Sequence, residues 1–170
     1  DVFRKIYQAY MRRLSQNRLI DFDDMLTYTY ELFAQRKDIL SAWQKRYPYI
    51  LVDEFQDINQ IQYDIVRLMA QPMNNLFVVG DDDQSIYRFR GSKPEIMLSF
   101  QKVYPDAKVV TLEQNYRCTP AIVAAAGNLI AHNKKRFDKK IRAEKKAGES
   151  VRFFQFEEQR QENQFIIEEI

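Results

Sequence analysis

The chain has 170 residues, 45% of them apolar, and a formal net charge of +2. With only four glycines and five prolines, this composition excludes a fibrous or disordered class and allows one domain or parts of two. The single cysteine, Cys118, excludes an internal disulfide framework, and no apolar run approaches the roughly 20 residues that span a membrane.

Apolar residues recur at the helical period in the first third of the chain. Phe3, Tyr7 and Tyr10 belong to a stripe that predicts a first helix, and we expect this stripe to lie in the core with Trp43. Asp21 and its neighbouring acids predict the start of a second helix, because carboxylates cap helix N-termini. A third, short helix is predicted over residues 39–47 and is stopped by a proline.

Two short apolar runs, residues 49–52 and 76–79, predict strands that are buried on both faces of a parallel sheet. Asp53 and Glu54 follow the first run, and Gly80 with three aspartates follows the second. A helical stripe lies between the runs. Polar residues at the carboxyl ends of parallel strands are where such sheets bind ligands.

The remaining elements continue the alternation of strands and helices. Ser92 and Glu95 have the spacing of a capping box and predict a further helix. Residues 109–112 and 151–156 are predicted strands, and helices are predicted from Thr119 and over residues 161–170. This order indicates an α/β fold built on a parallel sheet flanked by helices.

Asp53 and Glu54 are the first candidates for chemistry. In a site that hydrolyses nucleotides, the first acid after such a strand can hold Mg²⁺, usually through water, and the second can polarise the attacking water. Two acids in a turn can equally act as capping residues. The full pentapeptide from Asp53 to Asp57, Asp-Glu-Phe-Gln-Asp, favours the catalytic interpretation.

The segment after the second run combines acids, Gln84, Tyr87, Phe89 and Arg90. Rings that alternate with arginines suit a single strand whose bases stack while its phosphates meet guanidinium groups. Taken alone, the pattern favours core aromatics and solvated arginines, but the acids and Gln84 upstream reverse that preference. After the third predicted strand, Tyr116 and Arg117 could stack on a purine and reach a phosphate, although ordinary packing explains them equally well.

Together these segments resemble the UvrD/Rep/PcrA group of superfamily 1 DNA helicases over nearly the whole chain. Residues 53–57 are similar to motif II of that group, residues 80–92 to motif III and residues 114–117 to motif IV. Residues 21–26 are similar to the point where the first motor domain resumes after its accessory insertion.

The resemblance implies a role for each matching residue. Asp53 would hold Mg²⁺ and Glu54 would be the catalytic base, while Gln84 would sense the γ-phosphate of ATP. Single-stranded DNA would contact Tyr87, Phe89 and Arg90. Tyr116 would stack on the adenine, and Arg117 would reach the γ-phosphate as an arginine finger. Phe89 stands where many relatives have Trp, and Cys118 stands where Ser is usual.

The resemblance also implies an incomplete RecA-like fold of the P-loop NTPase type. Residues 1–18 would end a helical accessory insertion, residues 19–111 would complete a first motor domain, and residues 112–170 would begin a second. No G-x-x-x-x-G-K-[ST] phosphate loop occurs in the chain, which also does not begin with Met. We therefore expect a piece of a longer helicase that is inactive in isolation and needs the rest of its chain.

As a whole, the protein is expected to couple ATP hydrolysis to 3′ to 5′ movement on single-stranded DNA and to duplex unwinding. A cytoplasmic location is expected, with association with the bacterial nucleoid. One alternative is the helicase portion of a RecB/AddA-type helicase–nuclease. A second is a non-catalytic module, derived from a motor domain, that binds DNA or docks a partner.

Overall fold

The computed structural model describes all 170 residues and divides them into two compact units, Asp1–Ala107 and Lys108–Ile170. Both units combine helices with a small two-stranded parallel sheet, so the predicted α/β class is confirmed at this level. None of the helices combines the length and the apolar composition that crossing a membrane requires.

The first unit contains six α-helices and two strands. In chain order they are α1 (Val2–Gln16), α2 (Phe22–Gln35), α3 (Lys37–Arg46), β1 (Ile50–Val52), α4 (Gln60–Ala70), β2 (Leu76–Val78), α5 (Pro94–Leu98) and α6 (Phe100–Val103). The start of α2 is as predicted, because the Asp21 side chain accepts a hydrogen bond from the Asp24 backbone N–H at 2.8 Å. The Asp24 carboxylate accepts one in return from the Asp21 backbone N–H, which completes a capping box.

Strands β1 and β2 pair in parallel, with Val52 opposite Val78. These two valines pack against a buried core formed by Phe55, Ile58, Tyr63 and Ile96. Phe55 is fully buried, and its ring meets Tyr63 and Phe100 edge-on at centroid distances of 6.1 and 5.7 Å. The core therefore lies under one face of the sheet, directly beneath the residues that follow β1.

The prediction that both faces of this sheet are buried was wrong. Successive side chains of a strand point to opposite faces, so Leu51 and Phe77 lie on the face away from the core. They are 73% and 61% exposed, which means that no element of the first unit covers that face. The continuous apolar run indicated burial, but the unit supplies only one covering layer.

The predicted burial of the N-terminal aromatic stripe was also wrong. Helix α1 has no buried residue, and Phe3 is 75% exposed because the first unit offers this stripe no apolar surface to pack against. Tyr10 does connect α1 to the start of α2, since its hydroxyl donates to Asp21 Oδ2 at 2.8 Å. Trp43 lies partly exposed at the edge of the helical layer, where it stacks on Tyr47.

Ser92 does not cap a helix as its spacing with Glu95 predicted. Helix α5 begins at Pro94, and no side chain caps it. Ser92 is buried instead, and its hydroxyl donates to the backbone carbonyl of Gln56 at 3.3 Å. The Ser92 hydroxyl therefore donates to a buried carbonyl elsewhere in the fold and does not cap a helix.

The second unit contains four regular elements, β3 (Gln114–Asn115), α7 (Pro120–Ile130), β4 (Arg142–Ala143) and α8 (Gln159–Glu169). Strands β3 and β4 pair in parallel, and α7 begins at the predicted proline. The strands predicted at residues 109–112 and 151–156 were wrong, because neither segment pairs with another strand. Strand-like composition forms a strand only where a neighbouring backbone is available.

Candidate functional site

The carboxyl ends of β1 and β2 are joined by two backbone hydrogen bonds beyond the strands. The Val79 N–H donates to the Val52 carbonyl, and the Phe55 N–H donates to the Val79 carbonyl, both at 2.9 Å. Asp53 and Glu54 lie between the bonded positions on the first chain segment. The two polar segments singled out from the sequence, which lie more than twenty residues apart, therefore meet at one edge of the sheet.

Glu54 has a left-handed backbone conformation, with φ 51° and ψ 40°. This conformation is uncommon for a residue with a side chain, and such residues often lie at functional sites. The Glu54 backbone N–H donates to Asp53 Oδ1 at 2.9 Å, and both side chains are exposed to solvent. The turn thus presents two carboxylates outward while Phe55, the next residue, anchors the core.

Asp53 has the chemistry and exposure that a magnesium ligand requires. Mg²⁺ prefers oxygen ligands and keeps several of its waters, so one accessible carboxylate with room for solvent suits it. The chain supplies only part of an ATP site, because its four glycines form no phosphate loop. The residues present therefore fit the metal side and the catalytic side of a nucleotide site.

Gln56 lies at the centre of the joined strand ends, and from the sequence it was interpreted only as part of the Asp-Glu-Phe-Gln-Asp motif. Its side chain is only 2% exposed, yet Nε2 donates to Glu54 Oε2 at 2.8 Å and Oε1 accepts from the Asp81 backbone N–H at 3.0 Å. The sequence does contain a signal for this position: the residue is the one amide among acids and directly follows an aromatic core residue.

The acids after β2 build a tight turn. Asp81 accepts from the Asp83 backbone N–H at 3.2 Å through one carboxylate oxygen and from Gln84 Nε2 at 2.7 Å through the other. Carboxylate oxygens of Asp81, Asp82 and Asp83 lie within 4.8 Å of one another. Gln84 itself is exposed, so its side chain is held by Asp81 at the surface of the site.

The next segment, residues 85–92, forms a loop that is anchored at both ends. The hydroxyls of Ser85 and Ser92 donate to the same carbonyl, that of Gln56, at 3.2 and 3.3 Å. Between these anchors Phe89 is 79% exposed, so it is not a core aromatic. The loop is thereby fixed to the Asp-Glu-Phe-Gln-Asp turn while its middle faces solvent.

The rings of Tyr87 and Phe89 lie 6.0 Å apart at the tip of this loop, and the Arg90 guanidinium lies over both. The guanidinium carbon is 5.3 Å from the Tyr87 ring centre and 5.5 Å from that of Phe89. The structure therefore brings together the three residues predicted to contact DNA. It forms an exposed patch that combines π faces with positive charge.

Tyr116 and Arg117 lie in the second unit, in the turn between β3 and α7. Asn115 Oδ1 accepts from the backbone N–H groups of Arg117 and Cys118 at 2.9 and 2.8 Å, which fixes the turn. The Tyr116 hydroxyl donates to Gln114 Oε1 at 3.1 Å, and both Tyr116 and Arg117 are exposed. Their side chains are accessible for a ligand rather than buried in packing.

Two family models match the chain. The UvrD/REP helicase N-terminal domain matches residues 1–105, and the UvrD-like helicase C-terminal domain matches residues 110–170. Among curated relatives, YjcD of Bacillus subtilis is 50% identical over 139 residues, which is 82% of this chain and 18% of YjcD.

Two further relatives carry the name ATP-dependent DNA helicase PcrA. That of Staphylococcus epidermidis is 41% identical and that of Staphylococcus aureus is 42% identical, each over 97% of this chain and 23% of the relative. The chain thus spans less than a quarter of the length of these relatives. By its match to both family models along nearly its whole length, the chain belongs to the UvrD/REP helicase family.

Proposed function

We propose that the chain is part of an ATP-dependent DNA helicase that moves 3′ to 5′ on single-stranded DNA and unwinds duplexes. The observation that carries the proposal is the joining of the β1 and β2 ends. There, hydrogen bonds link Glu54 through Gln56 and Asp81 to Gln84. Coupling of ATP hydrolysis to movement needs the base, the sensor and the DNA-facing loop to be connected in one unit.

Glu54 is the proposed catalytic base. Its carboxylate accepts a proton from the water that attacks the γ-phosphate, and the donated bond from Gln56 together with the left-handed backbone fixes its orientation. Asp53 would hold Mg²⁺, which when bound neutralises charge on the phosphates. Gln84 is the proposed γ-phosphate sensor, since its amide lies exposed at the same strand end.

The proposed DNA contact is the patch of Tyr87, Phe89 and Arg90. Exposed rings offer stacking surfaces to any base, and Arg90 adds attraction for the phosphate backbone. Ser85 and Ser92 bind this loop to Gln56 through hydrogen bonds. A change of conformation at the nucleotide site is therefore transmitted to the patch through these bonds.

Tyr116 and Arg117 are the proposed contributions of a second motor domain. Tyr116 would stack on the adenine, and Arg117 would reach the γ-phosphate as an arginine finger. In this proposal residues 1–18 end an accessory insertion, residues 19–111 complete a RecA-like domain, and residues 112–170 begin the next. The protein would act in the bacterial cytoplasm, on nucleoid DNA.

The phosphate loop and the later motifs would be supplied by the rest of the full-length protein. The 170 residues alone are therefore expected to hydrolyse no ATP, with or without DNA. A phosphate-release assay on the purified chain tests this, and DNA-stimulated turnover would refute it.

Strand displacement by the full-length protein tests the proposed function. A labelled duplex with a 3′ single-stranded tail should be unwound in the presence of ATP and Mg²⁺, whereas a duplex with only a 5′ tail should not. Unwinding of the 5′-tailed duplex alone would contradict the polarity. Shortened DNA products would favour a helicase–nuclease, and the absence of any ATP-driven displacement would favour a non-catalytic module.

A further inference from the structure

The side chain of Gln56 uses both ends of its amide although it is almost completely buried. Nε2 donates to Glu54 Oε2 at 2.8 Å, and Oε1 accepts from the Asp81 N–H at 3.0 Å. Its backbone carbonyl accepts from two serine hydroxyls that bound the loop of residues 85–92. One residue therefore contacts the proposed base, the acidic turn and both ends of the DNA-facing loop.

The hydrogen bonds continue beyond Asp81. The Asp81 carboxylate accepts from Gln84 Nε2 at 2.7 Å, so an unbroken path runs from Glu54 through Gln56 and Asp81 to Gln84. The Gln56 side chain bonds to both chain segments. Removing this side chain would break the path, while the backbone bond from the Phe55 N–H to the Val79 carbonyl would remain.

Both bonds need a side chain that donates and accepts at this reach. Glutamine offers a donor and an acceptor at one end of its side chain, whereas a carboxylate only accepts and an aliphatic group does neither. In a buried position a lost partner leaves a polar group unsatisfied, which costs about 1–3 kcal/mol for a neutral group. The Asp81 N–H would lose the acceptor that Gln56 supplies.

We propose that Gln56 is a positioning residue that holds the Glu54 carboxylate in its catalytic orientation and couples it to the DNA-contacting loop. This inference rests on the proposed function of Glu54 as the base. Gln56 touches neither ATP nor DNA in this account. It acts by fixing Glu54 on one side and the Asp81 backbone on the other.

The test compares Gln56→Met with Gln60→Met in the full-length protein, measuring ATP turnover with and without single-stranded DNA. Met keeps the length of the side chain but removes both hydrogen bonds, and Gln60 is an exposed glutamine at the start of α4. Gln56→Met should lower kcat at least about tenfold, because positioned bases contribute about 10²–10⁴-fold. The KM for ATP should stay within about twofold, and stimulation by DNA should be largely lost.

Gln56→Asn serves as a second variant in case Gln56→Met fails to fold, since it keeps the amide but is too short to reach both partners. Wild-type kcat and DNA stimulation in a folded variant would overturn the proposal. So would a fall in kcat that matches the fraction of unfolded protein while stimulation by DNA is retained, because that result indicates a purely structural role.

A double mutant separates this inference from the proposed function. If Gln56 acts through Glu54, adding Gln56→Met to Glu54→Gln should lower single-turnover hydrolysis no further. An additional loss equal to that of Gln56→Met alone would contradict the positioning role. Normal hydrolysis by Glu54→Gln itself would instead contradict the assignment of the base.

Discussion

Gly80 lies so close to Gln56 that a Cβ atom at position 80 would be 2.6 Å from Gln56 Oε1. The same atom would lie 3.1 Å from the backbone nitrogens of Phe55 and Gln56. Two of these three neighbours are backbone atoms, which cannot rotate away as a side-chain atom can. A side chain at position 80 would therefore have to displace the Gln56 amide and shift the adjoining backbone by a few tenths of an ångström.

Gly80→Ala should therefore destabilise the first unit by about 1–3 kcal/mol, as overpacking does in tight interiors. The free energy of unfolding in urea measures this. Gly127→Ala is the matched control, because nothing lies within 4 Å of its added Cβ and alanine is favoured over glycine inside a helix such as α7. An unchanged stability of Gly80→Ala would show that the strand ends are less tightly joined than described.

Phe55→Ala should reduce the free energy of unfolding by about 3–5 kcal/mol, the usual effect of removing a buried aromatic ring. Phe55 is fully buried and packs edge-on against Tyr63 and Phe100. Phe89→Ala, at a ring that is 79% exposed, should change stability by no more than about 0.5 kcal/mol. Equal effects of the two substitutions would contradict the location of the core beneath the turn that follows β1.

Phe89→Ala should instead weaken binding of single-stranded DNA by the full-length protein. Loss of one stacked base costs about 1–3 kcal/mol, which corresponds to roughly 5- to 150-fold in Kd. Fluorescence anisotropy with a short oligonucleotide at fixed salt measures the change. Phe22→Ala is the control, since Phe22 is equally exposed but lies on α2. If both variants bind like the wild type, the aromatic patch is not a DNA contact.

Arg36 and Asp38 provide a pH test away from the proposed site. Two hydrogen bonds from the Arg36 guanidinium, at 2.9 and 2.7 Å, hold the pKa of Asp38 at about 2, below its ordinary value of 3.8. Because the folded pKa is lowered, any stabilisation from this pair is present above pH 3.8 and is lost as the pH falls towards 2.

Arg36→Gln should raise the pKa of Asp38 towards 3.8, as followed by NMR titration of the carboxyl carbon. Both side chains are exposed, so high salt should produce part of the same rise. Arg46→Gln removes an arginine that lies over Trp43 and Tyr47 and should leave the Asp38 titration unchanged. A pKa that is insensitive to Arg36→Gln would contradict the ion pair.

Local signals predicted the helices well because the signals act within one turn of the chain. The capping residues Asp21 and Asp24 lie three positions apart, and α7 begins at the predicted proline, Pro120, without a capping bond from the Thr119 side chain. The strands β1 and β2 were predictable as short apolar runs that end in polar residues. Their parallel arrangement was predicted from the alternation of strands with helices, but their direct pairing was not.

The predictions that were wrong concerned features that depend on contacts between distant parts of the chain. Residues 109–112 and 151–156 have strand composition but find no pairing partner, and nothing local in the run at β1 indicates that Leu51 is exposed. Ser92 had a local capping option, yet it bonds to a carbonyl 36 residues away.

In the candidate site, too, the residues identified by local motifs were predicted, and the contact between distant segments was not. Asp53, Glu54, Gln84 and the Tyr87–Arg90 patch were found from motifs, and their roles stay predictions. The bridging contact of Gln56 was not predicted because it depends on the Asp81 backbone, 25 residues further on, which no local pattern places beside it.

The most direct test of the account is DNA-stimulated ATP hydrolysis by the full-length protein carrying Glu54→Gln, with Glu31→Gln as the control. Glu31 is an exposed glutamate on α2, outside the proposed site, so its substitution should leave turnover unchanged. Glu54→Gln should retain ATP binding while kcat falls by about 10²–10⁴-fold, the contribution of a positioned base. Near-normal turnover by Glu54→Gln would contradict the central claim that this turn supplies the catalytic base.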